Sequence, residues 1–250
     1  SSRDFQESSI LYIMEDYTSL IENLVEWRRK QGFIVNVIDR DDINGSFNTG
    51  NIKDYIEDAL DDWENPPEFV CLVGDTNGSL AIPAYQVGGG SGWAGAYAES
   101  DYPYSLIDGN DNLPEVVIGR ISVRSSSELS TVINKIIGYE KNYSGDDDWL
   151  SAAALVGDPY DSGISTVITN QYIEEIMNIH GGITDIRTKY SGSNFDGFMR
   201  NQIDDGVAFL NYRGFYGFSN FTHSDVDQLN NGYKLPFLMT LTCGVNNYAT

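Results

Sequence analysis

Apolar and polar positions follow two rhythms along this chain. Short apolar runs, "ILYIMED" (10–16), "FIVNVID" (33–39) and "EFVCLVGD" (68–75), have the length and β-branched content of buried strands. Between them lie stretches with apolar residues at helical spacing. "TSLIENLVEWRRKQG" stops at Gly32, and "TGNIKDYIEDALDDWEN" ends before Pro66-Pro67. The same alternation returns downstream. "EVVIGRIS" (115–122) reads as a strand, and "SSELSTVINKIIGYEKNY" (126–143) as a helix with a Ser/Glu start. "SAAALVGD" (151–158) is a strand, and "TVITNQYIEEIMNIHGG" (166–182) is a helix with a glycine stop. "TDIRTKYS" (184–191) is a strand and "NFDGFMRNQIDDG" (194–206) a helix, and "VAFLNYRG" (207–214) and "PFLMTLTC" (236–243) close the series as strands. Strands this apolar, separated by helices, predict an α/β fold with mostly parallel sheets covered on both faces. The polar stretch "YSGDDDWL" (143–150) divides the pattern into two similar halves, 1–145 and 146–250.

Charge narrows the partners. With 15 Lys and Arg against 37 Asp and Glu, the net charge is −22. Nucleic acid and anionic membrane surfaces need clusters of basic residues, which are missing here. No apolar run approaches the ~18–20 residues of a membrane-spanning helix, so no membrane insertion is expected. The N-terminal "SSRDFQESSI" has neither the basic nor the apolar region of a signal peptide. The acidic excess reads as a solvated surface with a few clusters able to hold a divalent cation. The glycine-rich "GGGSGWAG" (88–95) lacks the strand-to-helix setting and the lysine of a phosphate loop, and reads as a surface loop.

Candidate chemistry gathers at strand ends. Two cysteines do not make a disulfide framework. Cys71 lies within an apolar run and reads as a core residue. Cys243 ends one, where an open α/β sheet exposes reactive groups. His180 reads as a helix C-terminal residue complementing the dipole. "LIDGNDNLPE" places Asp108, Asp111 and Glu115 in a Gly/Asn-rich turn, and "LVGD" brings Asp75 to a neighbouring strand tip. Such oxygen donors suit calcium; a solvated acidic turn is the plain alternative.

Two stretches, 100–150 and 205–247, together with "FVCLVGD", resemble the gingipain family of cysteine peptidases, and the resemblance extends from "LYIMED" to the C-terminus. It implies a caspase-like α/β fold, peptide hydrolysis, and a secreted or cell-surface location. It also implies a polypeptide substrate or protein ligand as partner. In that family a Cys–His dyad acts. The histidine follows an "NY-x-G" strand end, and the cysteine ends the next strand, after a run beginning "LPF". A thiol with an ordinary pKa near ~8.5 is a few per cent thiolate at neutral pH, so it needs a base, and the leaving amine needs an acid. Cys243 matches the nucleophile. After Asn211, Tyr212 and Gly214 the histidine position falls on Phe215, with Tyr216 inserted before Gly217. His223, eight residues past Phe215, is the other base within the motif; Tyr216 is a weak one, its phenol being mostly protonated at neutral pH. Asp158 falls near the family's acid that orients the histidine, although an Asp before Pro159 also suits a turn. Backbone N–H groups such as those of Gly214 and Cys243 would hold the oxyanion.

The resemblance also implies calcium held by the side chains of Asp75, Asp111 and Glu115 and by the carbonyls of Asp108 and Leu113. The family's catalytic domain continues past the cysteine, so a remaining C-terminal part of the same domain is an expected partner of this chain, which ends at Thr250. Two functional readings stand: a degenerate peptidase domain without its dyad histidine, or an active secreted cysteine endopeptidase using Cys243 with His223 or another base. An unrelated α/β binding protein would require both motif stretches to be accidental.

Overall fold

The computed structural model describes residues 7–16, 18–88, 98–141 and 145–245. Most of the glycine-rich loop at 88–95 lies outside the described residues. The described chain falls into two compact units, one up to Ile137 and one from Gly138 onward.

In the first unit, β1 (Ser9–Met14) is followed by α1 (Glu22–Lys30), β2 (Ile34–Ile38), α2 (Thr49–Asp62) and β3 (Phe69–Val73). A two-stranded antiparallel ribbon comes next, β4 (Tyr85–Val87) and β5 (Ala98–Ser100), then β6 (Val117–Ile121) and α3 (Ser126–Glu140). The main sheet has the order β2-β1-β3-β6, all parallel. β1 is buried along its whole length, which explains its unbroken apolar run. Its alternate side chains serve opposite layers. Ile10, Tyr12 and Met14 pack with Leu24 and Val25 of α1 and with Leu129 and Ile133 of α3. Leu11 and Ile13 pack with Ile52, Ile56 and Ala59 of α2. The helix ends follow their sequence signals. Asn48 accepts the Asn51 N–H at the start of α2, and Ser125 accepts that of Glu128, whose carboxylate in turn takes the Arg124 N–H.

The second unit contains β7 (Ala152–Gly157), α4 (Ser165–His180), β8 (Asp185–Lys189), α5 (Phe195–Asp205), β9 (Phe209–Tyr216), the single-turn α6 (His223–Val226) and β10 (Phe237–Cys243). Its sheet has the order β10-β9-β7-β8, again all parallel. α5 covers one face: Phe195, Met199 and Ile203 pack on Ala152, Ala154, Val156, Leu210 and Tyr212. On the other face α4 is tied down by polar contacts. Its fully buried Asn170 donates to the Val156 carbonyl and accepts from the Asn211 amide at 2.8 Å. The α/β class and mostly parallel sheets therefore hold. One boundary differs. The sequence suggests that β9 stops at Gly214, but the strand continues to Tyr216 because β10 keeps pairing with it across a register shift.

Arg120 is the principal polar tie of the first unit. Its Nε and Nη2 bind the two carboxylate oxygens of Asp101 at 2.8 and 2.7 Å. Its remaining N–H groups reach the carbonyls of Gly74, Ile82 and Pro83. One guanidinium thus fixes the end of β3, the segment after it and the end of β5. Arg120→Ala would leave a largely buried carboxylate and three carbonyls without this donor. The expected loss is about 3–5 kcal/mol in urea unfolding, and Arg120→Lys, a point charge without the fork, should recover less than half of it. A loss under about 1 kcal/mol would show that the tie is dispensable.

Candidate active site

The C-terminal ends of β7, β9 and β10 meet in the second unit, where parallel α/β sheets present their loops. β9 and β10 pair from Phe237 opposite Phe209 to Leu241 opposite Arg213. The register then shifts, so that Cys243 lies opposite Tyr216. The Gly217 N–H donates to the Cys243 carbonyl at 2.8 Å and carries the ladder one step further. The exposed Cys243 is thus brought beside the predicted "NY-x-G" strand end. The residue opposite it is Tyr216 rather than Phe215, because the shift absorbs one position.

Tyr216 also determines its neighbours. Gly244 has φ +74°, which favours glycine, and a Cβ there would lie 2.6 Å from the exposed Tyr216 ring, which would have to swing away. Gly214 is constrained differently: a Cβ there would meet the Tyr212 hydroxyl at 2.2 Å. Its lack of a side chain follows from the folded-over phenol of the residue two before it.

A cleft of about 620 Å³ opens beside this strand end. Asp158, Tyr160 and Asp161 after β7 line it, with the segment leading into α5 and residues 215–220 at and beyond the end of β9. Neither Cys243 nor His223 is among its lining residues, whereas Phe215 and Tyr216 both are. Asp161, Asn194, Ser219 and Asn220 are the non-glycine residues with left-handed backbone among the described residues, and all four line this cleft. Left-handed conformations cost energy for residues with a Cβ, least for Asn and Asp, and they gather at functional sites.

Asp158 is held in place. Its backbone N–H donates to the Arg213 carbonyl at 2.9 Å. One carboxylate oxygen accepts from the Tyr160 N–H at 3.0 Å, and the other accepts from the Ser219 hydroxyl. Ser219 is in turn 2.6 Å from the hydroxyl of buried Tyr212. Burial raises the Tyr212 pKa above its usual value; the Ser219 hydrogen bond lowers it and the nearby Asp158 charge raises it further. The Tyr212 ring packs edge-on against Phe218, and Phe218 packs against Phe221. Asp158 is therefore bound into a hydroxyl chain that anchors the loop after β9. His223 is exposed at the start of α6, whose capping box joins Thr222 and Asp225. His180 is the last residue of α4 and is likewise exposed.

The carboxylates suggested for calcium are each engaged separately in the first unit. Asp75 accepts from the Ser122 hydroxyl at 3.0 Å, from the Thr76 N–H at 2.6 Å and from Arg124 at 3.3 Å. Burial by itself would raise its pKa, but these hydrogen bonds and the Arg124 charge outweigh it and hold the carboxyl below its usual range. Glu115 accepts the N–H groups of Ile107 and Asp108. Asp111 accepts that of Leu113, whose side chain is exposed. Among the described residues no group of three or more His, Cys, Asp or Glu side chains is placed to hold a metal ion. As arranged here, the five residues do not form a closed donor set.

Sequence reasoning found the strand-end residues 158, 215 and 243 but missed Tyr212, Ser219, Asp161 and Asn194. Asp161 and Asn194 were signalled by their turn positions in "DPYDSG" and "SGSN", and Ser219 by standing beside Asn220 in "GFSN", where Asn and Asp favour left-handed backbone; Tyr212 carried no local signal.

Comparison with known proteins accounts for this arrangement. The family model for "Peptidase family C25" matches residues 4–250. Gingipain R2 of Porphyromonas gingivalis (strain ATCC BAA-308 / W83) is 29% identical over 244 residues, covering 94% of this chain and 32% of that protein. Lys-gingipain of Porphyromonas gingivalis (strain ATCC 33277) is 28% identical over 192 residues, 74% of this chain and 10% of that protein. The crystal structure of the Arg-specific cysteine proteinase gingipain R superposes with a TM-score of 0.84 at 27% identity, covering 99% of this chain and 57% of that one. A complex of gingipain pro- and mature domains gives 0.81 at 28% identity, covering 94% and 55%. The chain spans about a third of the length of the first of these curated relatives and just over half of the solved chains. With its parallel sheets, its strand-end cysteine and a family match over nearly its whole length, this chain belongs to peptidase family C25, that of the gingipains.

Proposed function

We propose that this gingipain-like domain is a degenerate cysteine peptidase that binds polypeptide without cleaving it. The observation that carries the reading is the register at Cys243. The residue paired with it is Tyr216, a phenol packed against Gly244, and neither 215 nor 216 is a histidine. Thiol-based peptide cleavage needs a group that takes the thiol proton and returns one to the leaving amine, and losing such a group costs about 10²–10⁴-fold. Asp158, the expected orienting acid, is occupied by Ser219 and the Tyr160 N–H. The cleft remains. Its acidic and aromatic walls suit an extended polypeptide carrying a basic side chain, in keeping with the arginine specificity named for the solved relative. The expected setting is secreted or cell-surface, with further parts of the same polypeptide as neighbours. Among the described residues no helix is long and apolar enough to cross a membrane.

The complete polypeptide should fail to cleave unfolded protein or short arginine and lysine peptides. Iodoacetamide should alkylate Cys243 slowly at pH 6, where a dyad-activated thiolate reacts quickly. An arginine peptide should still bind, and Asp161→Asn should weaken it roughly tenfold, about 1.4 kcal/mol. Turnover abolished by both Cys243→Ala and His223→Ala would overturn this reading and establish an active peptidase with His223 as base. If the missing base is the main defect, histidine at 216 or 215 should restore measurable cleavage, the register favouring Tyr216→His over Phe215→His.

Calcium is proposed as a ligand of the Asp75 turn that must compete with the chain's own cation. It would be held by Asp75, Asp111 and Glu115 with the Asp108 and Leu113 carbonyls, and it would displace Arg124 from Asp75. Binding to the native state alone would add about 2.7 kcal/mol of stability at a hundredfold excess over Kd. The melting temperature should therefore rise more with calcium in Arg124→Ala than in the parent. Identical melting curves in calcium and in chelator for both proteins would refute the site.

Arg124→Ala also tests the Asp75 carboxyl. Its folded pKa lies below the unfolded value, so its stabilisation is present above that value, about 3.9, and is lost as pH falls through the folded one. Without Arg124, acid unfolding should begin at higher pH.

A further inference from the structure

α4 is buried on one face and carries an apolar stripe on the opposite one. Thr166, Val167 and Asn170 are buried against the sheet. On the other side Ile164, Ile168, Tyr172, Ile176 and Ile179 are exposed by 64, 55, 67, 40 and 58%. At 3.6 residues per turn these five lie within roughly 60° of the direction opposite Asn170, so they form one stripe along the outer face. The outer face of a surface helix is ordinarily polar, and a contiguous exposed apolar patch of this kind marks an interaction surface.

We propose that this stripe is a self-association surface on which a second copy of the chain docks its own α4, antiparallel, about a twofold axis at Tyr172. A twofold interface must be complementary to itself, and the stripe is. Its members stand at −8, −4, 0, +4 and +7 from Tyr172. An antiparallel partner therefore sets Ile168 against Ile176, Ile164 against Ile179, and Tyr172 against its own copy. The charges agree with this pairing. In a chain of net charge −22, the helix Ser165–His180 carries only Glu174 and Glu175 as acids. Glu174 accepts a hydrogen bond from Tyr190. Glu175, at +3, would face Thr169, at −3, so no carboxylate meets a carboxylate. The rest of the surface is acidic, and two such bodies repel at low salt. One helix pair is at or below the ~1,000 Å² of the smaller specific interfaces, which predicts weak, salt-promoted dimerisation.

Sedimentation of the complete polypeptide over micromolar to submillimolar concentrations tests this. We expect a monomer–dimer equilibrium that tightens as sodium chloride is raised from 0.05 to 0.5 M. Tyr172→Glu should weaken it at least about tenfold while leaving the circular dichroism spectrum unchanged. Ile168→Glu is a second variant in case Tyr172→Glu misfolds. Geometry has its own test in a Cys243→Ser background. Under mild oxidation Tyr172→Cys, on the axis, should form an intermolecular disulfide. Ile164→Cys should not, because eight residues at 1.5 Å each put it roughly 24 Å from its own copy along the helix. A protein that stays monomeric throughout, a dimer indifferent to both glutamates, or equal crosslinking from both cysteine positions would overturn the proposal. So would protection of Tyr172 by another segment of the same polypeptide.

Discussion

The arrangement at the candidate site depends on β9 being held between two parallel neighbours. Its register with β7 sets Arg213 opposite Gly157, so the Arg213 carbonyl receives the Asp158 N–H. Its register with β10 sets Tyr216 opposite Cys243. Parallel pairing leaves no freedom to slide: one step would turn every inward side chain to the other face. Leu210 and Tyr212 must stay on the α5 side, and Asn211 must stay on Asn170. The chemistry around Cys243 is therefore fixed by core residues several positions away. The shift between Leu241 and Cys243 is the one place where the β9–β10 ladder departs from strict pairing, and it sets Tyr216 opposite Cys243.

On the proposed reading, that constraint would make the absence of a histidine at 215 and 216 a local matter. The strand end and the glycines around it are intact, and the cleft is built from backbone that tolerates strain at four non-glycine positions. Such positions persist only when their surroundings over-determine them. Here Ser219, at φ 44°, is held by hydroxyl contacts to both Tyr212 and Asp158. A scaffold that maintains this geometry without a histidine at the strand end agrees with retained binding more than with a site in decay.

The fold was largely legible because its inner strands are well buried and its helices carry ordinary start and stop signals. β1, β3 and β7 could be read from unbroken apolar runs, α2 from its helical spacing and the Pro66-Pro67 stop, and α3 from its Ser/Glu start. The short ribbon β4–β5 could not: three-residue strands have no period to detect. The end of β9 was also misjudged. "YRGFYG" has the composition of a loop, and only pairing with β10 keeps Phe215 and Tyr216 in the strand. Residue types at the site were legible, but the partners of those residues were not. Nothing local in "LVGD" shows that Asp75 will be met by Ser122 and Arg124, some fifty residues later.

Arg124 shows how one side chain can compensate a buried carboxylate. A buried acid needs compensation, by a metal ion, by hydrogen-bond donors or by a fixed cation. Asp75 has the second and third from its own chain, and its depressed pKa records the result. Compensation supplied internally does not depend on what the solvent contains, whereas compensation by calcium would rise and fall with it. The acidic surface works in the same direction for association. With so many carboxylates in excess, close approach of two copies is tolerable only where charge is sparse. The outer face of α4 combines sparse charge with exposed apolar side chains, so the repulsion that keeps most of the surface apart also selects the patch through which two copies can meet.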